Sequence, residues 1–119
     1  MSTRDDFFED LALTLNSWVN SSADMLTNMN ADLRCTDKSE YVEKVRHALN
    51  QAGITCDDVK QVISEIISGV IFSMLTTIDG GTYLAEKKLI KLVDEQGQSF
   101  GDDLHNDFIL YLMETGRME

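Results

Sequence analysis

The sequence predicts a mainly α-helical fold: a single domain over residues 1–119, built as a helical bundle of four or five helices. Three observations predict it. Apolar residues recur at alternating spacings of three and four over long stretches, which is the helical period. The 119 residues contain no proline, so nothing interrupts those stretches from within. The breaks fall instead at glycines and at short polar residues of the kind that cap helices. A hydrophobic content of 43% is enough for one core in a chain of this length.

The first helix is expected from Thr3 to Met29, with Phe8, Leu11, Leu15, Trp18, Ser22, Met25 and Met29 as its apolar stripe, interrupted only by Ser22. Its opposite face carries Asp6, Glu9, Asp10, Asn16, Ser17, Asn20, Asp24 and Asn28. Asp5 and Asp6 suit the positive end of its dipole. A second helix is expected from Lys38 to Ala52, capped by Asp37 with Glu40 and stopped by Gly53. Thr55 and Asp58 form a capping box for the third, whose stripe of Val59, Val62, Ile63, Ile66, Ile67, Val70, Ile71, Met74, Leu75 and Ile78 is two residues wide at every turn. With Phe72 off that stripe, the third helix reads as the buried, central one. Asp79-Gly80-Gly81 ends it. From Tyr83 to Val93 a helix is preferred to a short β-hairpin near 89–100 around Gln96-Gly97, with Asp94 to Gly101 as a loop. The last helix is expected from Asp102 to Glu114, and Gly116 closes it.

Twenty-one acids against ten bases give a net charge of −11, concentrated at the ends: residues 1–32 hold six acids and one base, and 102–119 hold five and one. Such a surplus opposes direct nucleic-acid binding and anionic lipid surfaces, and suits a basic protein partner. The N-terminus places acids where a secretory signal needs bases and then an apolar run, so the expected location is cytoplasmic. The most apolar stretch, Val62 to Ile78, contains Glu65 and reads as a core helix rather than a membrane span, so no membrane partner is expected. Cys35 and Cys56 lack metal or redox spacing and read as free thiols.

The stretch GDDLHNDFILYLMETG, Gly101 to Gly116, crowds Asp102, Asp103, His105 and Asp107 together before turning apolar. On a helix only Asp102 and His105 share a face, and the carboxylates fall where they stabilise a helix N-terminus. The chain carries neither an HExxH pair nor the repeated Glu-x-x-His of di-iron bundles. His47 has Glu43 on its own face, a common surface pairing, and nothing in the sequence brings a cysteine to either histidine. DGGTY follows a helix, whereas phosphate-cradling loops precede one. The reading is therefore no catalytic residues, no metal ligands and no cofactor.

The acidic, proline-free helical chain, with its long apolar helix ending in MLTTIDGG and its closing DLHNDFILYLMETG, resembles small bacterial immunity proteins that accompany polymorphic toxins, including those of contact-dependent growth inhibition. That resemblance implies a cytosolic inhibitor, not an enzyme, that occludes the active site of a cognate toxin domain, often a nuclease. The partner-binding surface expected here comprises Asp6, Glu9, Asp10, Asp24, Asp102, Asp103, Asp107, Tyr111 and Glu114. The alternative is a small homo-oligomeric regulatory or metal-binding helical protein using His47 and His105; monomer and homodimer both remain open at the level of sequence.

Overall fold

The computed structural model describes residues 2–33 and 37–118, and within them four α-helices and one short 3-10 turn account for the regular structure. Helix α1 is Thr3–Thr27, α2 is Ser39–Gln51, α3 is Cys56–Ile78 and α4 is Leu104–Glu114. The chain is thus mainly helical, as its periodicity requires. Cys35 lies outside the described residues; Cys56 is a free, half-buried thiol at the first position of α3.

The predicted signals at the ends of α3 form as anticipated, and the one at the start of α2 does not. At the start of α3 the capping box closes in both directions: Asp58 N–H donates to Thr55 Oγ1 at 3.1 Å and Thr55 N–H donates to Asp58 Oδ2 at 2.9 Å. Those bonds, from the Thr55 backbone first and its hydroxyl second, hold the Asp58 carboxyl below its ordinary pKa. Thr55→Ala is expected to cost about 1 kcal/mol, read as a lowered midpoint in thermal unfolding. Gly80, with φ +85°, takes the left-handed turn that ends α3. By contrast α2 begins after Lys38, which has no side-chain cap, so the predicted Asp37–Glu40 box is not what starts it.

The segment after α3 departs from expectation. The helix predicted over Tyr83 to Val93 contracts to a single 3-10 turn, Tyr83–Glu86, ended by Lys87. Continuing it would place Lys87 and Lys91 one turn apart, with like charges facing each other. Nor does the alternative hairpin form strands: the described residues hold one isolated antiparallel bridge, Val93 with Ser99. Asp94 accounts for that, because its Oδ1 accepts the N–H groups of Gln96 (2.9 Å) and Gln98 (3.0 Å) and folds the segment as a side-chain-directed turn.

Contacts divide the chain into two units, residues 1–13 with 68–119, and residues 14–67. In the first, Phe8 and Ala12 of α1, Leu75 of α3, and Leu104, Phe108 and Leu112 of α4 are buried, and the Phe8 and Phe108 rings meet with centroids 5.4 Å apart. In the second, Leu15, Val19 and Ala23 of α1 and Val59 of α3 are buried together with one charged side chain, Arg46 of α2. Its Nε donates to Met25 O at 2.9 Å, and Nη1 and Nη2 reach Met29 O and Ala31 O, each at 3.4 Å. A cation is thereby set on carbonyls of the last turn of α1 and of the segment just after it.

Two core expectations are corrected. The buried stripe of α1 is Phe8, Ala12, Leu15, Val19 and Ala23, so Trp18 and Met29 are exposed. Helix α3 is not buried all round: Val62, Ile66, Val70 and Met74 are each more than half exposed, and only Val59 and Leu75 are buried. Among the described residues it is the one helix long and apolar enough, by length and composition, to cross a membrane.

Candidate partner-binding surface

The unit formed by residues 1–13 and 68–119 holds most of the predicted surface. Helix α4 and the residues just after it are bound to the start of α1 by three polar contacts. Arg4 Nη1 donates to Asp107 Oδ2 at 3.1 Å, Arg117 Nη2 to Glu9 Oε2 at 2.6 Å, and the Tyr111 hydroxyl to Glu9 Oε1 at 2.6 Å. The Arg117 bond, with the Tyr111 hydroxyl second, holds the Glu9 carboxyl below its ordinary pKa, and the hydrogen bond to Glu9 raises that of Tyr111. Glu9, Asp107 and Tyr111, all expected in the partner-binding surface, are half-buried and make these contacts within the chain. The spacing of α1 and α4 in the sequence, about a hundred residues, hides such pairings from any local reading.

Asp6 and Asp10 on α1, Asp102 and Asp103 before α4, and Glu114 at its end are exposed. Asp103 accepts from Asn106 Nδ2 at 3.0 Å, and the other four remain presented to solvent. By sequence this unit has thirteen acids against five bases, a net of −8, whereas residues 14–67 have eight against five, a net of −3. Two of the five bases, Arg4 and Arg117, are occupied by Asp107 and Glu9. In the other unit Asp24 is exposed and accepts from Asn28 Nδ2 at 3.2 Å. His47 and Glu43 are exposed on α2.

Asp79 holds the start of α4, a role the sequence reading gave to Asp102 and Asp103. Helix α4 begins at Leu104, its N-cap Asp103 makes no side-chain capping bond, and Asp102 lies outside the helix. Instead Asp79, the residue after α3, accepts the N–H of Leu104 on Oδ1 at 2.9 Å and that of His105 on Oδ2 at 2.8 Å. The same Oδ2 is hydrogen-bonded to His105 Nδ1, and the imidazole stands edge-on to Phe72 with centroids 5.2 Å apart. Burial pushes the Asp79 carboxyl pKa up, but the bonds from the His105 ring, then its N–H and that of Leu104, outweigh this and leave it below the ordinary value.

Asp79, Asp103 and His105 bring ligand atoms within 4.8 Å of one another. Both oxygens of Asp79 are already engaged by the N-terminal amides of α4, so the group nearest the histidine works as a helix cap with a fixed imidazole. One signal for Asp79 was present in the sequence. A carboxylate at the C-terminal end of an apolar helix opposes that helix's own dipole, so it needs donors from elsewhere. No protein-family model matches the chain, and no curated protein and no solved structure matches it.

Proposed function

We propose that this chain is a non-enzymatic binding protein of the immunity type, which neutralises a basic, nuclease-type toxin domain by covering its active site. The observation that carries this reading is the uncompensated acidic surface of residues 1–13 and 68–119. Asp6, Asp10, Asp102 and Glu114 stand exposed while Arg4 and Arg117 are held by other carboxylates. An anionic surface on a fixed helical frame matches a cleft that binds phosphates, raises the association rate and loses strength with salt. Occlusion asks no chemistry of the chain itself. A cytoplasmic site of action follows from that role.

The test is capture from the host lysate at low salt. One basic protein should be retained in equal amount and released at high salt. Reversing Asp6, Asp10, Asp102 and Glu114 together to lysine should slow its association by at least about tenfold. Because all four are exposed, circular dichroism of the variant should match the parent. Unchanged capture by a folded variant sinks the proposed surface.

A further inference from the structure

Helix α3 carries an exposed stripe whose pattern is complementary to itself. Val62, Ile66, Gly69 and Ser73 fall on one line along this single helix, spaced four, three and four residues apart. All four are exposed, Val62 and Ile66 by 60% and 57%. Gly69 lies in the middle of a 23-residue helix, where glycine weakens the helix relative to alanine. Among the described residues nothing calls for it: a Cβ built there meets no atom within 4 Å, and its φ is not in the left-handed region. The missing side chain opens space on the outside of the molecule only, where another backbone would approach.

The order of sizes along the stripe is large, large, small, small, and the spacing reads the same in both directions. When a second α3 is laid on it antiparallel about a two-fold axis, Val62 meets Ser73 and Ile66 meets Gly69, and the symmetry repeats both pairs. Every large side chain then enters a gap, which is how facing helices interdigitate. A parallel copy would set large on large and gap on gap. We infer that α3 is the isologous interface of a homodimer, in which two copies cross antiparallel between Ile66 and Gly69. Val70 and Met74, also more than half exposed, flank the crossing on one side, and Glu65, exposed as well, flanks it on the other.

The helix is about 34 Å long, so a contact along it alone falls at the small end of specific interfaces and makes a weak, concentration-dependent dimer. Each copy carries −11, so self-association should strengthen as salt screens the repulsion, opposite to the effect of salt on binding a basic partner.

Sedimentation equilibrium of the full chain from about 1 to 500 µM tests this, because a weak interface of this size associates in that range. The wild type should pass from monomer to dimer. Gly69→Ile, which sets isoleucine against Ile66, should weaken association at least about tenfold, and the swap Ile66→Gly with Gly69→Ile, which restores large-on-small pairing, should recover most of it. Circular dichroism shows whether each variant keeps its helices, and Gly69→Ala supplies a second probe that favours the helix while crowding the crossing. A monomer at every concentration, or a swap that fails to recover association while remaining folded, overturns the proposal. So does a monomer whose α3 stripe binds phosphatidylcholine vesicles, since that would assign the face to lipid.

Discussion

Arg46→Ala is expected to destabilise the protein by about 3 kcal/mol, because it removes a charge-assisted donor set and leaves partly buried acceptors behind. The side chain is 4% exposed and its guanidinium serves the carbonyls of Met25, Met29 and Ala31. Three charge-assisted bonds at full strength would suggest more. Two of them are long at 3.4 Å, and water can reach part of the freed surface, so about one such bond and one unsatisfied carbonyl set the loss. The measurement is the urea midpoint followed by circular dichroism, with the Arg46→Lys and Arg46→Met proteins alongside.

Lysine keeps the charge at the end of α1 but not the planar fork that reaches carbonyls six residues apart, so it should restore less than half of the lost stability. Methionine keeps most of the volume and none of the donors, and should behave like alanine. If methionine instead restored stability, packing of the aliphatic stem would be the cause. Asn50, whose Nδ2 also donates to Thr27 O at 3.3 Å, supports the same helix end from the next turn of α2.

What the sequence disclosed follows from how local each cause is. The Thr55–Asp58 box spans four residues and forms as its pattern says. The helices of α1, α3 and α4 follow from the spacing of apolar residues, within one or two residues at most ends. Which face of a helix is buried depends on partners distant in the chain, and there the reading slipped. The three-and-four spacing from Phe8 through Leu15 points Trp18 inward, whereas Val19 and Ala23 hold the core face. Arg46 was invisible for the same reason, since nothing near it in sequence says that a cation will be enclosed by the end of another helix. The width of the α3 stripe was read as burial on several sides, but an apolar face records only that something apolar belongs there, whether the chain's own core or another molecule. For the candidate surface, exposure of Asp6, Asp10 and Asp102 matched the pattern, while Glu9, Asp107 and Tyr111 were claimed by partners about a hundred residues away.

The second large effect is expected at Asp79, and it separates the observed cap from the one that the sequence suggested. Asp79→Ala should lower stability by about 3 kcal/mol at neutral pH, because it strips two amides at the start of α4 and the His105 ring of their shared acceptor. Asp79→Asn keeps one acceptor oxygen but points an amide donor at the His105 side, so it should lose most of the same amount. Asp103→Asn should change stability by less than about 0.5 kcal/mol, since that exposed side chain caps nothing. The pH dependence carries the sign. Asp79 titrates below its ordinary value when folded, so its contribution is complete above the ordinary aspartate range and disappears as pH falls through the lower folded value. Stability curves of the parent and Asp79→Asn proteins should therefore converge on acidification, whereas parent and Asp103→Asn should run together throughout. Two curves for Asp79→Asn and parent that stayed parallel down to the acid transition would show that the ionised carboxylate is not what fastens α4 to the end of α3.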